Sequence, residues 1–115
     1  MSTIFHNPRC SKSRSALELL RERGVNPDIR DYLQQPPSIA ELQALLHKLG
    51  TDARSLLRTG EAEYTALGLD DPSLDDVALL AAMASHPRLI ERPIFIDGAR
   101  AIIGRPPERV LELLD

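Results

Sequence analysis

Cys10 is the only cysteine in the chain. It lies in the stretch His6–Arg14, HNPRCSKSR, with Arg9, Lys12 and Arg14 close by and no acid before Glu18. A lone thiol in such a setting is a buried filler, a metal ligand or a nucleophile held as its thiolate. Free cysteines are often small buried hydrophobes, so the filler assignment competes directly with the others. A zinc site does not fit, because His6, His47 and His86 are far apart and show no ligand spacing around Cys10. A redox pair of the C-x-x-C type is absent, since Ser13 stands where the second cysteine would be. A phosphatase loop of the C-x5-R type is absent too, since Ala16 holds the arginine's place. Any covalent intermediate on Cys10 therefore needs a thiol from another molecule to resolve it.

The neighbouring elements decide between filler and nucleophile. STIF is short and β-prone and reads as a first strand. SKSRSALELLRERG follows as a helix, with Ala16, Leu17 and Leu20 on one stripe and Gly24 as its stop. Cys10 then falls at the start of that helix. There the unpaired backbone N–H groups and the helix dipole favour a negative group and depress a thiol pKa. An ordinary cysteine, with a pKa of about 8.5, is only a few per cent thiolate at neutral pH, so such a depression decides reactivity. The three cations, and a protonated or hydrogen-bonding His6, push the same way. The same amides can hold an oxyanion beside the sulfur. His6 by itself is open between a structural and a functional role, and Ser13 can simply supply a first-turn hydrogen bond.

PDIRDYL reads as a second strand with Ile29, Asp31 and Leu33 on alternating positions, and QPPS breaks it. Ser38 and Glu41 form a capping box for a helix that buries Ile39, Leu42, Leu45, Leu46 and Leu49 and stops at Gly50. DARSLLRTG predicts a short helix ending at Gly60, and EAEYTALGL another ending at Gly68. Ser73 is the expected opening of a further helix, with Leu74, Val77, Leu80, Ala81 and Ala84 inward, closing before His86-Pro87. RPIFID and ARAIIG predict two strands joined by Asp97-Gly98. PPERVLELL is a last helix, burying Val110, Leu111 and Leu114. Without the central helices the order is β-α-β-β-β-α, a thioredoxin-like arrangement. The expected fold is α/β: a mixed four-stranded sheet with an all-helical insertion. A single domain is expected over 1–115, with its core at about 1–31 and 90–115 and the insertion at about 32–89.

Bulk composition sets the outer bounds. Apolar residues make up 43% of 115 residues, enough for one core, but aromatics are 3%, so that core rests on aliphatic side chains. The net charge of -3 argues against general nucleic-acid binding. No run reaches the roughly 18 apolar residues of a membrane span, and no signal-peptide layout opens the chain. One cysteine forms no internal disulfide, which suits a cytoplasmic setting. Six acids and no lysine or arginine lie between Thr59 and Pro87, the pattern of a solvated acidic face. No apolar stripe remains once the core is assigned, so a monomer is expected.

HNPRCSKSR resembles the N-terminal motif of the glutaredoxin-coupled arsenate reductase family (ArsC), which shares a thioredoxin-like fold with the Spx regulators. YLQQPPS, LLRTGEAEYTALGL, HPRLIERPI and GRPPERVLELL extend the resemblance over nearly the whole chain, nearest to the short arsenate-reductase-like members. The chain stops without the longer C-terminal extension of the established reductases, and Arg9 and Lys12 make its loop more basic than in many relatives. The resemblance nominates Arg58, Arg92 and Arg105 as oxyanion-binding residues. Without it, each would be assigned to a surface ion pair. It also implies that Pro93 is the cis-proline beside the active cysteine.

The resemblance implies a mechanism as well. The Cys10 thiolate attacks arsenate held by Arg58, Arg92 and Arg105, hydroxide leaves, and a covalent thio-arsenate forms. Glutathione and then glutaredoxin supply electrons, and arsenite departs. His6 would stabilise the thiolate, while Asn7, Ser13 and Arg14 would shape the loop. No bound cofactor and no metal are implied; glutathione is a co-substrate. Two other classes compete. An Spx-like regulator would bind RNA polymerase, and a monothiol glutaredoxin-like enzyme would exchange thiols and disulfides through Cys10 alone.

Overall fold

The computed structural model describes residues 2–114 and divides into two compact units. One comprises Met1–Gln35 with Arg92–Asp115, and the other Pro36–Glu91. The sequence-based boundaries at 31/32 and 89/90 thus move by a few residues. Tyr32, expected at the start of the insertion, belongs to the sheet unit: it is buried, and its ring stacks on Phe5 at 6.2 Å between centroids.

The sheet unit opens with strand β1 (Ser2–Phe5), helix α1 (Ser11–Glu22) and strand β2 (Asp28–Arg30). It resumes with β3 (Ile94–Asp97), β4 (Arg100–Ile103) and a 3₁₀ helix over Pro107–Leu114. Strand order is β2-β1-β3-β4. β1 and β2 are parallel, joined through α1, and β3 pairs antiparallel with both β1 and β4. This is the expected mixed four-stranded α/β sheet. Ile4, Ala16, Leu17, Leu20, Phe95, Ile102, Val110 and Leu113 form its core. The core thus joins the sheet to α1 and to the 3₁₀ helix.

Three expectations in this unit change. The second strand is shorter than the PDIRDYL stretch: β2 covers only Asp28–Arg30, at the sheet edge, and Ile29 on it is 48% exposed. In the hairpin, Asp97 pairs with Arg100, so the two turn residues are Gly98 and Ala99 rather than Asp97 and Gly98. Gly98 takes φ 62° and Ala99 stays at negative φ, the pattern of a type II′ turn. The last helix is 3₁₀, with three residues per turn, so Val110 and Leu113 stack inward while Leu111 and Leu114 are only partly buried.

The helical unit contains α2 (Ile39–Leu49), α3 (Ala53–Leu56), α4 (Ala62–Ala66), α5 (Asp76–Ser85) and a 3₁₀ turn at Pro87–Leu89. Ser38 and Glu41 complete the capping box of α2, and Gly50 closes it at φ 68°. Leu42, Leu45 and Leu46 are buried, but Ile39, in the first turn, is 37% exposed. α3 ends at Leu56, well before Gly60, because Leu57 turns extended and bridges Ile90. α5 opens at Asp75, whose carboxylate accepts the Ala78 N–H, while Ser73 is held by Asp71 instead. The inward residues of α5 are Leu79, Leu80 and Met83, and Val77 is 55% exposed. The run VALLAAMA is apolar all round, so its periodicity does not select a face.

Three acids of this stretch serve local structure. Asp75 caps α5, Asp71 holds the Ser73 N–H at 2.9 Å, and Asp76 accepts the Ala53 N–H at 3.3 Å. No helix is long and apolar enough to cross a membrane among the described residues.

Candidate active site

β1 ends at Phe5, and α1 begins at Ser11, so residues 6–10 form a tight connection. Asn7 organises it. Its carbonyl accepts the Cys10 N–H at 3.0 Å, its side-chain oxygen accepts the Arg9 N–H at 3.0 Å, and its own N–H donates to Ser13 Oγ at 3.0 Å. Arg14 donates from Nη1 to the Pro8 carbonyl at 2.9 Å. Ser13 is fully buried, and its hydroxyl also meets His6 Nδ1 at 2.7 Å. Asn7, Ser13 and Arg14 each make hydrogen bonds within this loop.

Cys10 occupies the N-cap of α1, with extended backbone at φ -95° and ψ 122°, and is partly exposed. Its thiol is not within capping hydrogen-bond geometry, yet its pKa is lowered. Desolvation is the largest influence and opposes the thiolate. The Ser13 N–H, the Arg92 guanidinium, the Lys12 N–H and the Arg105 guanidinium together outweigh it. Lys12 acts here through its amide. The helix start and two arginines distant in sequence thus favour the thiolate.

His6 is buried, and its pKa is lowered. Desolvation is the main cause; Asp31 acts against it, and Arg21 and Arg14 reinforce it. The imidazole is therefore biased toward neutrality. Its hydrogen bond goes to Ser13 Oγ, which connects it to the residue whose amide faces Cys10.

Arg92 and Arg105 flank the sheet unit's β3–β4 pair, and each precedes a proline across a cis peptide bond, Pro93 and Pro106. Arg105 Nε donates to the Arg92 carbonyl at 2.8 Å, and the Gly104 N–H donates to the Pro93 carbonyl at 2.8 Å. A Cβ at Gly104 would lie 2.9 Å from Val110 Cγ1 and 3.0 Å from Pro93 Cγ. Glycine is what lets these two segments approach.

Arg58 belongs to the helical unit. Its N–H donates to the Leu89 carbonyl at 2.7 Å, beside the Leu57–Ile90 bridge. Its guanidinium meets Glu61 at 2.6 Å and Glu91 at 3.8 Å. The structure thus brings Cys10, Arg92 and Arg105 into electrostatic reach within one unit and holds Arg58 between two carboxylates in the other. Among the described residues, no cluster of three or more His, Cys, Asp or Glu is placed to hold a metal ion.

Three contributors have no signal in the local sequence. Asp31 faces His6 only because β2 runs beside β1, and the His6 N–H donates to the Arg30 carbonyl at 2.9 Å. Gly104 reads as an ordinary strand end. The cis bond at Pro106 has only its tandem proline as a hint.

The family model described as the ArsC family matches residues 5–113. An arsenate reductase of Neisseria meningitidis is 50% identical over 112 residues, which cover 96% of each chain. One from Haemophilus influenzae is 50% identical over 112 residues, covering 96% of this chain and 97% of its own. The solved structure of an arsenate reductase from Vibrio cholerae superposes with a TM-score of 0.94 at 49% identity, covering 96% of this chain and 95% of that one. With a match from the end of β1 to the last 3₁₀ turn, and relatives at half identity over almost their full lengths, the chain belongs to the ArsC family.

Proposed function

We propose that this protein is an arsenate reductase that works through a covalent adduct on Cys10. One observation carries the reading: the only thiol sits at the N-cap position of α1, where amides and two arginines lower its pKa despite partial burial. A thiolate attacks the arsenic of arsenate, forming an S–As bond as hydroxide leaves. Arg92 and Arg105 offset the anionic charge of the oxyanion while the bond forms. Arg58 enters the proposal through the family resemblance.

Reduction of As(V) to As(III) takes two electrons. The chain has a single cysteine, so two external thiols supply them and leave as a disulfide. Glutathione and glutaredoxin are the proposed donors, in keeping with a reducing cytoplasm. His6 acts through Ser13 to hold the loop, and Asn7 and Arg14 fix its backbone. Arsenite leaves when the S–As(III) bond is hydrolysed, which returns the thiol.

The test is arsenite release from arsenate with glutathione and glutaredoxin, against Cys10→Ser. Turnover that depends on Cys10 is expected. Release equal to that of the serine variant would overturn the reading.

A further inference from the structure

A cavity of about 430 Å³ opens on α1, lined by His6, Arg14, Leu17, Glu18 and Arg21. Arg14 and Arg21 are two helical turns apart and so share a face of α1. Between them the wall has one acid, Glu18, and one apolar side chain, Leu17. Among the described residues, neither arginine forms an ion pair with Glu18. His6 is 8% exposed and also lines this space. Its Nδ1 is taken by Ser13 Oγ, and among the described residues its Nε2 has no hydrogen-bond partner.

We propose that this cavity binds a small anion, a carboxylate or a phosphate, between Arg14, Arg21 and the Nε2 edge of His6. Two guanidinium groups and one carboxylate leave the wall with a surplus of positive charge, even with a neutral imidazole. Leu17 gives an apolar contact for the carbon part of an organic anion. The bound anion favours the tautomer that carries its proton on Nε2. Ser13, which accepts the Asn7 N–H, then donates its own hydroxyl proton to Nδ1. The site is thereby linked to the loop that presents Cys10.

The groups that face His6 are Asp31 beyond β2 and Arg14 and Arg21 on α1, with Glu18 in the cavity wall. An anion added to this set favours the imidazolium and raises the His6 pKa. By reciprocity, protonation of His6 tightens anion binding.

The experiment is an NMR pH titration of the His6 ring in the full chain at constant ionic strength. Inorganic phosphate and succinate are added separately, with His47 and His86 as internal references. The His6 pKa is expected to rise with at least one anion. Arg21→Ala should weaken that response about tenfold, the effect of one lost charge-assisted hydrogen bond. Arg21→Gln, which keeps most of the side-chain stem, serves if the alanine variant folds poorly. A response to phosphate alone or to succinate alone supports the site and names its ligand chemistry. No rise with either anion, or an undiminished rise in the Arg21 variants, would overturn the proposal. None of these readouts requires arsenate turnover.

Discussion

Arg105 donates its Nε hydrogen to the main-chain oxygen of Arg92 at 2.8 Å. The two arginines that lower the Cys10 pKa are thus tied to each other. Arg105 is anchored through its side chain to the Arg92 backbone, so its guanidinium is held in place before any anion arrives. Such preorganisation makes fixed charges effective in stabilising a developing anion.

Arg105→Ala removes both the charge and the tie. The Cys10 pKa is expected to move up toward that of an ordinary cysteine, and arsenate turnover to fall by about 10²-fold. Arg105→Lys keeps a charge but not the guanidinium fork, so its thiol pKa should move less than its kcat/KM falls. The pH profile of Cys10 alkylation by iodoacetamide, measured beside turnover, checks both. An unchanged alkylation profile in Arg105→Ala would refute the electrostatic role.

The lowered pKa of Cys10 makes stability depend on pH. The unfolded chain holds the thiol proton to a higher pH than the folded chain does. Between the two pKa values the unfolded state binds more protons, so stability rises with pH. The contribution is complete above the unfolded pKa and disappears as pH falls through the folded one. The lowered pKa of His6 has the same sign at a lower pH: its contribution is lost on acidification through its folded pKa. Urea unfolding across pH should show Cys10→Ala losing the alkaline rise and His6→Gln flattening the acidic fall. A wild-type curve matching Cys10→Ala on the alkaline side would contradict the thiolate assignment.

Gly104→Ala places a methyl group 2.9 Å from Val110 Cγ1 and 3.0 Å from Pro93 Cγ. Both neighbours are buried, so the clash is not relieved by an easy side-chain swing. A loss of about 1–3 kcal/mol is expected, the usual cost of overpacking. In a double-mutant cycle with Val110→Ala, the shorter side chain should recover part of the loss. Urea midpoints at fixed pH give the comparison, and additive losses would show that the crowding at Val110 is not the cause.

The sequence by itself determined the local chemistry. One strand-to-helix junction, a lone cysteine at it, a serine in the place of a second cysteine and the capping box at Ser38 are all short-range features. Each follows from residues a few positions apart, and periodicity and capping rules report on that range. The strands and the order of elements were legible for the same reason. The inward face of α5 was not, because VALLAAMA is apolar on every side, and only packing selects Leu79, Leu80 and Met83.

Tertiary structure decided what surrounds the thiol. Arg92 and Arg105 lie more than 80 positions after Cys10 and reach it because β3 pairs with β1 and β4 with β3. Asp31 faces His6 because β2 lies beside β1. Local pattern singled out the candidate nucleophile, and strand pairing supplied its electrostatic setting. The physical reason is that a helix start acts over a few residues of chain, whereas a charge acts through space on whatever the sheet brings near it.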